Sequence, residues 1–522
     1  MKSLRQLLGA DQTRANGDGT LMPSRMLTLG LVGISAIVLF LYRPFSQVET
    51  GDATIYNYIS QAILRGQLPY RDVVDIKSPL SCYLTAAAMW VGKLIGINDI
   101  YSGRLLHIAF ACALVATLYQ VGVIYFRNHR AAFLGALLLL LSDYFTGWTV
   151  SGGQPKLPMM LFGMLSLLAV AKERPVLSGA LGMLSALCWQ PGLMFAGVAF
   201  LIFSRYLTRW RDGRAIKVAV GALIPLVLFV GYFYLKGGLA YFWACAMEYN
   251  YSVFAPEAKH SILDSLGHFW RVVRRVYRLD VIVVYASLGG FALFVVARLK
   301  GRFGIRKLIS TGDLFRDAIL IPPLVYFAFC QINFQSGPDL IPFMPFIALF
   351  AGFFAVRVIS LLLERFAKST ARLSLDKLLY AGALAIAVLG IGVRCARYRI
   401  DAASLQAQRS DAAEIARILG PDGKIYVHGS AEILVLLNRP NLNPYVFIDW
   451  GMDDFVASKW HGGSFQNVID EMESQAPRVV ILSRLKAVRH AQDLEQWASE
   501  HYERRVVGDY HIFVRSESAP RV

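Results

Sequence analysis

The chain is short of charge, of cysteine and of histidine, and each shortage excludes something. Of its 522 residues only 17% are charged, whereas 56% are hydrophobic, and the mean hydropathy is +0.46. That is too apolar for a soluble protein, and several apolar runs approach the ~18–20 residues that cross a bilayer. The six cysteines (Cys82, Cys112, Cys188, Cys245, Cys330 and Cys395) lie mostly in or beside apolar runs, with no CxxC and no paired spacing. This speaks against a disulfide framework and a cysteine metal site. The nine histidines are scattered and form no HExxH, which argues against a transition-metal centre. Acidic residues are outnumbered 36 to 53 by Lys and Arg, leaving a formal net charge of +17.

Where that positive charge falls decides its meaning. Basic loops run through Arg127 and Arg130, then Lys172 and Arg174, then Arg205, Arg209, Arg211, Arg214 and Lys217. Further on come Arg298, Lys300, Arg302, Arg306 and Lys307, and finally Arg365, Lys368, Arg372 and Lys377. The intervening turns at 151–154, 189–191 and 334–339 carry no Lys or Arg. This alternation is the positive-inside pattern of a polytopic membrane protein, so the basic surplus is largely topological and nucleic acid is not an expected partner. Met26 to Tyr42 reads as a first, uncleaved anchor after a polar cytoplasmic tail, 1–25. Later apolar runs occupy roughly 79–97, 104–126, 131–150, 155–171, 175–188, 191–204, 216–235, 281–297, 315–333, 340–363 and 377–394. The alternation holds if 79–97 lies in the interface rather than spanning. The alternative is that 79–97 spans and another run, such as 191–204, does not.

The expected architecture is therefore an α-helical membrane region over 26–397, with about eleven spans plus interfacial helices. It places the loops 44–103 and 236–280 outside a plasma (bacterial inner) membrane. From about Tyr398 the composition becomes that of a small extracytoplasmic α/β domain, 398–522. Expected strands there are Lys424–His428, Tyr445–Trp450, Arg478–Leu482 and one or two within Glu503–Arg515. Expected helices are Ala431–Leu437, Gln466–Gln475 and Ala491–His501. The domain has no Gly-rich phosphate loop. Asp449, Asp453, Asp454, Lys459 and His461 form a polar patch on a Gly-flanked loop, either a solvated loop or a site.

Polar chemistry concentrates in Glu49–Leu80, which holds Glu49, Asp52, Arg65, Arg71, Asp72, Asp75 and Lys77 between two apolar runs. Charge beside a bilayer marks a place where something polar is handled. Ile55, Ile59, Ala62 and Ile63 give Asp52–Arg65 an amphipathic helical spacing, Gly66 ends it and Pro79 opens the next helix. The return of the chain through Pro69–Lys77 can bring Asp52 and Lys77 together. A carboxylate there can serve as general base and a lysine can hold a phosphate. The other reading is a charged loop whose members pair with one another and with lipid head groups.

Asp52-Ala-Thr-Ile-Tyr56, Leu64-Arg-Gly66, Pro69-Tyr70-Arg71-Asp72 and Lys77-Ser78-Pro79-Leu80 together resemble the first external loop of the GT-C glycosyltransferases. The similarity points to the branch holding protein O-mannosyltransferases and the lipid A aminoarabinose transferase. It covers the first ~200 residues best, with an echo at Ile341-Pro342-Phe343-Met344-Pro345. The resemblance implies inverting transfer of a sugar from a polyprenyl-phosphate donor to an extracytoplasmic glycan, lipid or protein acceptor. Asp52 would be the base and Lys77, helped by Arg71, would hold the departing phosphate; Glu49, Tyr56 and Asp72 fall in the same motif region. Ala53 stands where relatives carry a second acidic residue, which weakens any divalent-metal version of the motif. Gln154 and Lys156 replace an acidic residue common in relatives, and either meet sugar hydroxyls and phosphate or belong to a plain Gly-rich turn, Ser151–Lys156.

Arg271, Arg274, Arg275 and Arg278 line one helical face in the loop 236–280. They suit a phosphorylated lipid head group or ordinary interfacial snorkelling among membrane lipids. Two rivals stand beside the transferase: a transporter of lipid-linked saccharides, which would place ionisable residues at mid-membrane depth, and a non-catalytic scaffold with a degenerate GT-C-like fold.

Overall fold

The computed structural model describes residues 23–204, 213–254, 261–300, 314–366, 381–382, 384–386, 388–397 and 404–515. Most of the 1–25 tail and of the basic loops at 205–212, 301–313 and 367–380 lies outside the described residues, as do Glu257, Lys259 and His260.

Helix α1 (Arg25–Leu41) leads through an irregular segment into α2 (Asp52–Leu64), α3 (Leu80–Leu94) and the long α4 (Asp99–Phe126). Then come α5 (His129–Leu140), α6 (Asp143–Ser151), α7 (Lys156–Ala171), α8 (Pro175–Cys188), α9 (Leu193–Phe203) and α10 (Arg214–Leu235). The helical region continues with α11 (Ile262–Tyr277), α12 (Val281–Lys300), α13 (Ile321–Cys330) and α14 (Met344–Phe366). Among the described residues four stretches of helix are long and apolar enough to cross a membrane: Asp99–Phe126, Arg214–Leu235, Ile262–Leu299 and Gly337–Leu363. A fifth results if α5 and α6, bent by 60°, form one broken span. Several other apolar runs read from the sequence are shorter helices, such as α7 with 16 residues and α8 with 14. The run at 315–333 is split because Pro322 and Pro323 follow a 3₁₀ turn and leave only 10 helical residues. Helix α3, at 15 residues, is also short of the roughly 20 a crossing needs.

Water cannot drive helices together within lipid, so close backbone approach must. A methyl on Gly179 would lie 2.0 Å from the Val218 carbonyl oxygen, and one on Gly221 would lie 2.0 Å from that of Val176. The contact locks α8 onto α10. Gly135 and Gly352 do the same between α5 and α14.

Residues 404–515 form an α/β layer. Helices α15 (Leu405–Leu419), α16 (Ala431–Leu437), α17 (Met452–Trp460), α18 (Phe465–Gln475) and α19 (Ala491–His501) accompany a four-stranded sheet ordered β1-β2-β4-β3. Strands β1 (Ile425–His428) and β2 (Val479–Leu482) are parallel; β3 (Tyr502–Val507) and β4 (Tyr510–Arg515) form an antiparallel hairpin. The strand expected at Tyr445–Trp450 is irregular instead. The edge of β1 is covered by the segment after α16: Asn441 Oδ1 accepts from Val427 N at 2.7 Å, its Nδ2 donates to Val427 O at 3.2 Å, and Leu442 N donates to Ile425 O at 2.8 Å.

The expected loop patch is also different, since Met452–Trp460 is helical and its charges are dispersed. Asp453 is buried and accepts from the Arg489 and His490 backbone N–H groups. Lys459 pairs with Glu248, and Asp449 faces His428 at 3.5 Å.

This layer shares its core with the segments next to the first helix. Tyr56, Tyr58, Ile59 and Ala62 of α2 pack in one buried cluster with Ile433, Leu434 and Val435 of α16. Val74, Tyr249 and Phe254 pack in another with Ile448, Met452 and Phe455.

Candidate active site

Gly51, in the left-handed region at φ 62°, turns the chain so that Asp52 opens α2. An acidic side chain in a first helical turn is favoured by the exposed N–H groups there. The 69–77 return is short and heavily tied. Tyr70 N donates to Val73 O at 2.7 Å and Tyr70 Oη to Lys77 O at 2.5 Å. The Ile76 carbonyl accepts from Gln190 Nε2 at 2.9 Å and from Asn250 Nδ2 at 2.8 Å. Asp75 is buried, and its Oδ1 accepts from the backbone of Ile76 and Lys77. These bonds fix the Lys77 backbone, and its ammonium reaches 3.8 Å from Asp52 Oδ2 and 5.3 Å from the centre of the Tyr56 ring.

The Asp52 side chain is 41% exposed and that of Lys77 17%. The carboxylate is thus open to an incoming group while the cation is sunk beneath it. Burial pulls the Lys77 ammonium below the usual lysine range, and Lys156 adds to this, while Asp52, Asp75 and Asp339 oppose it. Burial pushes the Asp75 carboxyl up to about 6, against the pull of Lys77.

A second buried pair adjoins the first. Lys156 Nζ lies 2.9 Å from Asp339 Oδ1 and 4.9 Å from the centre of the Trp189 ring. Asp339 Oδ2 accepts from Gln335 N at 2.8 Å, tying the Gly337 turn to the start of α7. Two lysines and three aspartates therefore share one charge cluster. Among the described residues no three His, Cys, Asp or Glu side chains converge as ligands of a metal ion would. Asp52 and Asp339 each face an ammonium, so this donor set does not fit a divalent cation.

The other residues singled out from the sequence divide. Gln154 is buried beside the α2 start: its N donates to His107 Nε2 at 3.0 Å, and a methyl on Gly153 would lie 2.5 Å from Ala53 O. Both atoms of its side-chain amide lack a partner among the described residues. Glu49 is not at the charge cluster's open face. It is buried against Arg104 and also accepts from Asn57 Nδ2 at 2.9 Å. Arg71 and Asp72 hold each other through two 2.8 Å bonds, and Asp72 also accepts from Leu68 N. Arg271, Arg274, Arg275 and Arg278 are all exposed, while Val272, Val273 and Tyr277 on the other face of α11 are buried; the helix ends at Tyr277 and Arg278 stands beyond it at φ 48°, so three of the four expected arginines share the helical face. The Gly337 turn, which carries Asp339, packs against Tyr144 and against Val276 of α11, so that helix adjoins the cluster.

Sequence reasoning missed Asp339, Trp189, Gln190 and Asn250. The signal for Asp339 was a Gly-Pro-Asp turn ahead of Pro342, noticed only for carrying no Lys or Arg. Gln190 and Asn250 act on a backbone carbonyl, a role that leaves no motif.

No family model matches the chain. A dolichol phosphate-mannose mannosyltransferase from Haloferax volcanii is 24% identical over 309 residues, covering 55% of this chain and 63% of that protein. The match thus spans a little under two thirds of that relative's length. ArnT from Cupriavidus metallidurans, solved with undecaprenyl phosphate bound, superposes with a TM-score of 0.63 at 12% identity, covering 94% of this chain and 98% of that one. The archaeal oligosaccharyltransferase AglB from Archaeoglobus fulgidus, in complex with an inhibitory peptide and a dolichol-phosphate, gives 0.53 at 13% identity, covering 94% of this chain and 75% of that one. The likeness of the chain to ArnT and AglB is thus one of overall fold, extending over more than nine tenths of its length.

Proposed function

We propose that the chain is a membrane glycosyltransferase that moves a sugar from a polyprenyl-phosphate donor to an extracytoplasmic acceptor. The single observation that carries the reading is the Asp52–Lys77 pair, a half-exposed carboxylate 3.8 Å from a sunken ammonium. A hydroxyl of the acceptor approaches the sugar's anomeric carbon while Asp52 takes its proton. The new carbon–oxygen bond forms as the bond to the phosphate oxygen breaks, and its electron pair leaves with the lipid phosphate. Lys77 stabilises that developing charge in a poorly solvated site, where an ammonium is most effective. Lys156 lies within Coulombic reach of Lys77 and supplies a second positive charge. A single displacement inverts the anomeric configuration.

The named relatives support a lipid-phosphate donor, since one is a dolichol phosphate-mannose mannosyltransferase and two were solved with polyprenyl phosphates. Gln154, with an unpartnered amide beside α2, is assigned to sugar hydroxyls, and the arginine face of α11 to the incoming phosphate head group. The N-terminus is cytoplasmic in this reading, and the layer from 404 to 515 faces away from the cytoplasm.

The test is transfer in proteoliposomes from a panel of polyprenyl-phosphate sugars, with the mannosyl donor first, to extracted envelope acceptors. Asp52→Asn should lose 10²–10⁴-fold in turnover with donor binding kept, whereas Lys77→Ala should lose both. Transfer that survives both substitutions removes the assignment. Labelled donor that crosses the bilayer without transfer would instead establish a transporter.

A further inference from the structure

Of the ten residues between α1 and α2, the last eight, Pro44 to Gly51, have no regular secondary structure. Beside local bonds such as those from Gln47 Nε2 to Tyr42 O at 2.7 Å and from Asn57 Nδ2 to Glu49 Oε2 at 2.9 Å, two side chains from distant parts of the chain hold the segment that leads to Asp52. Arg104 donates to the carbonyls of Pro44, Gln47 and Val48 at 2.6, 2.8 and 3.3 Å and pairs with the Glu49 carboxylate. Gln408, more than 350 residues away on α15, treats Glu49 as a strand neighbour would. Its Oε1 accepts from Glu49 N at 2.8 Å and its Nε2 donates to Glu49 O at 2.8 Å. The amide is held in that orientation by Tyr510 of β4, whose hydroxyl accepts from Nε2 at 3.3 Å. The first residue of α15 adds a further contact: Leu405 N donates to Ser46 O at 3.0 Å.

The same layer grips the rest of the pair. Val435 O accepts from Gln61 Nε2 at 3.2 Å, and the Tyr58 hydroxyl accepts from Asn441 N at 2.8 Å, both on the helix that carries Asp52. Pro444 O accepts from Val74 N at 3.0 Å, on the return that carries Lys77. Both chemical groups are therefore referenced to the C-terminal layer.

We propose that Gln408 is a positioning residue for Asp52, and that the layer 404–515 is thereby a working part of the active site rather than a cap. The inference rests on the reading of Asp52 as the base. Gln408 touches no reacting atom; it acts through the Glu49 backbone, three residues before Asp52. Loss of its two backbone bonds frees the segment to move, and a misplacement of about 1 Å is enough to cost on the order of 10²-fold in rate.

The experiment uses the full chain in proteoliposomes with Gln408→Met, Gln408→Glu and, as a control on the exposed side of α15, Glu414→Ala. Gln408→Met keeps the volume and loses both bonds. It should lower kcat about 10- to 100-fold with the donor KM unchanged, and should speed amide exchange across Glu49–Thr54. Gln408→Glu keeps the acceptor and regains a donor only when protonated. Its kcat relative to wild type should therefore climb as the pH falls, which a merely structural role would not produce. Should Gln408→Met fail to fold, the pH series on Gln408→Glu decides alone. Wild-type exchange across Glu49–Thr54 together with unchanged kcat overturns the proposal, as does a flat ratio for Gln408→Glu. Exchange is read without turnover, so a wild type that transfers no sugar sinks the transferase reading while the exchange result still reports on the strap.

Discussion

Replacing Arg104 with methionine removes the ion-pair partner of a fully buried carboxylate and three hydrogen bonds to the backbone of the irregular segment before α2. Breaking a buried ion pair from one side costs about 3–5 kcal/mol, because the remaining charge is stranded. The freed carbonyls can reach water only if the segment opens, so a total of about 5 kcal/mol is expected. The double variant Glu49→Gln/Arg104→Met removes the stranded charge and should recover at least half of that loss.

The pH dependence has a definite sign. Burial already holds the Glu49 carboxyl above its ordinary value, with Arg104 and Asn57 restraining the rise. Without Arg104 it rises further, so the folded variant holds a proton that the unfolded chain releases. The Arg104→Met protein should therefore approach wild-type stability below about pH 4, near the unfolded carboxylate pKa. It should lose ground steadily as the pH rises towards 8. Apparent Tm in lipid nanodiscs across that range is the assay. A single variant no less stable than the double, or a deficit that ignores pH, refutes the reasoning.

Asp75, pushed up to about 6 by burial, holds a proton more tightly folded than unfolded. It should cost stability as the pH rises from about 4 to about 6, by at most roughly 3 kcal/mol. Asp75→Asn should flatten that limb in a thermal-shift series. Gly153→Ala would place a methyl 2.5 Å from the Ala53 carbonyl at φ 49°, so the turn must retreat from the start of α2. Transfer should fall at least about tenfold, with about 1–3 kcal/mol of stability lost. Arg274→Gln/Arg275→Gln should raise the donor KM severalfold with kcat kept, and the effect should shrink in high salt because the face is exposed.

Much of the site was legible because its parts are adjacent in sequence. Asp52, Gly66, Lys77 and Pro79 mark a helix, its end, the return and the next helix, and α2 and α3 begin where those residues say. The 425–428 and 479–482 strands were legible from short β-branched runs. The failed strand at Tyr445–Trp450 was apolar enough to qualify, but the place beside β1 was already taken by an asparagine side chain, which periodicity cannot reveal. Glu49 read as a site residue because it stands next to Asp52. Its partner Arg104 is 55 residues away, in the first turns of a long and mostly apolar helix. Gln408 is further still. Contacts of this kind between distant segments carry no local pattern.

The asparagine at the edge of β1 has a consequence for life on a membrane. A protein confined to two dimensions meets its own copies often, and an open strand edge is a template for joining them. Here one edge ends in the Asn441 amide, which uses both backbone groups of Val427. The opposite edge, β3, presents Glu503, Arg504 and Arg505 to solvent. A side-chain amide closes one edge and charged side chains flank the other, an arrangement that disfavours edge-to-edge joining of sheets on neighbouring molecules.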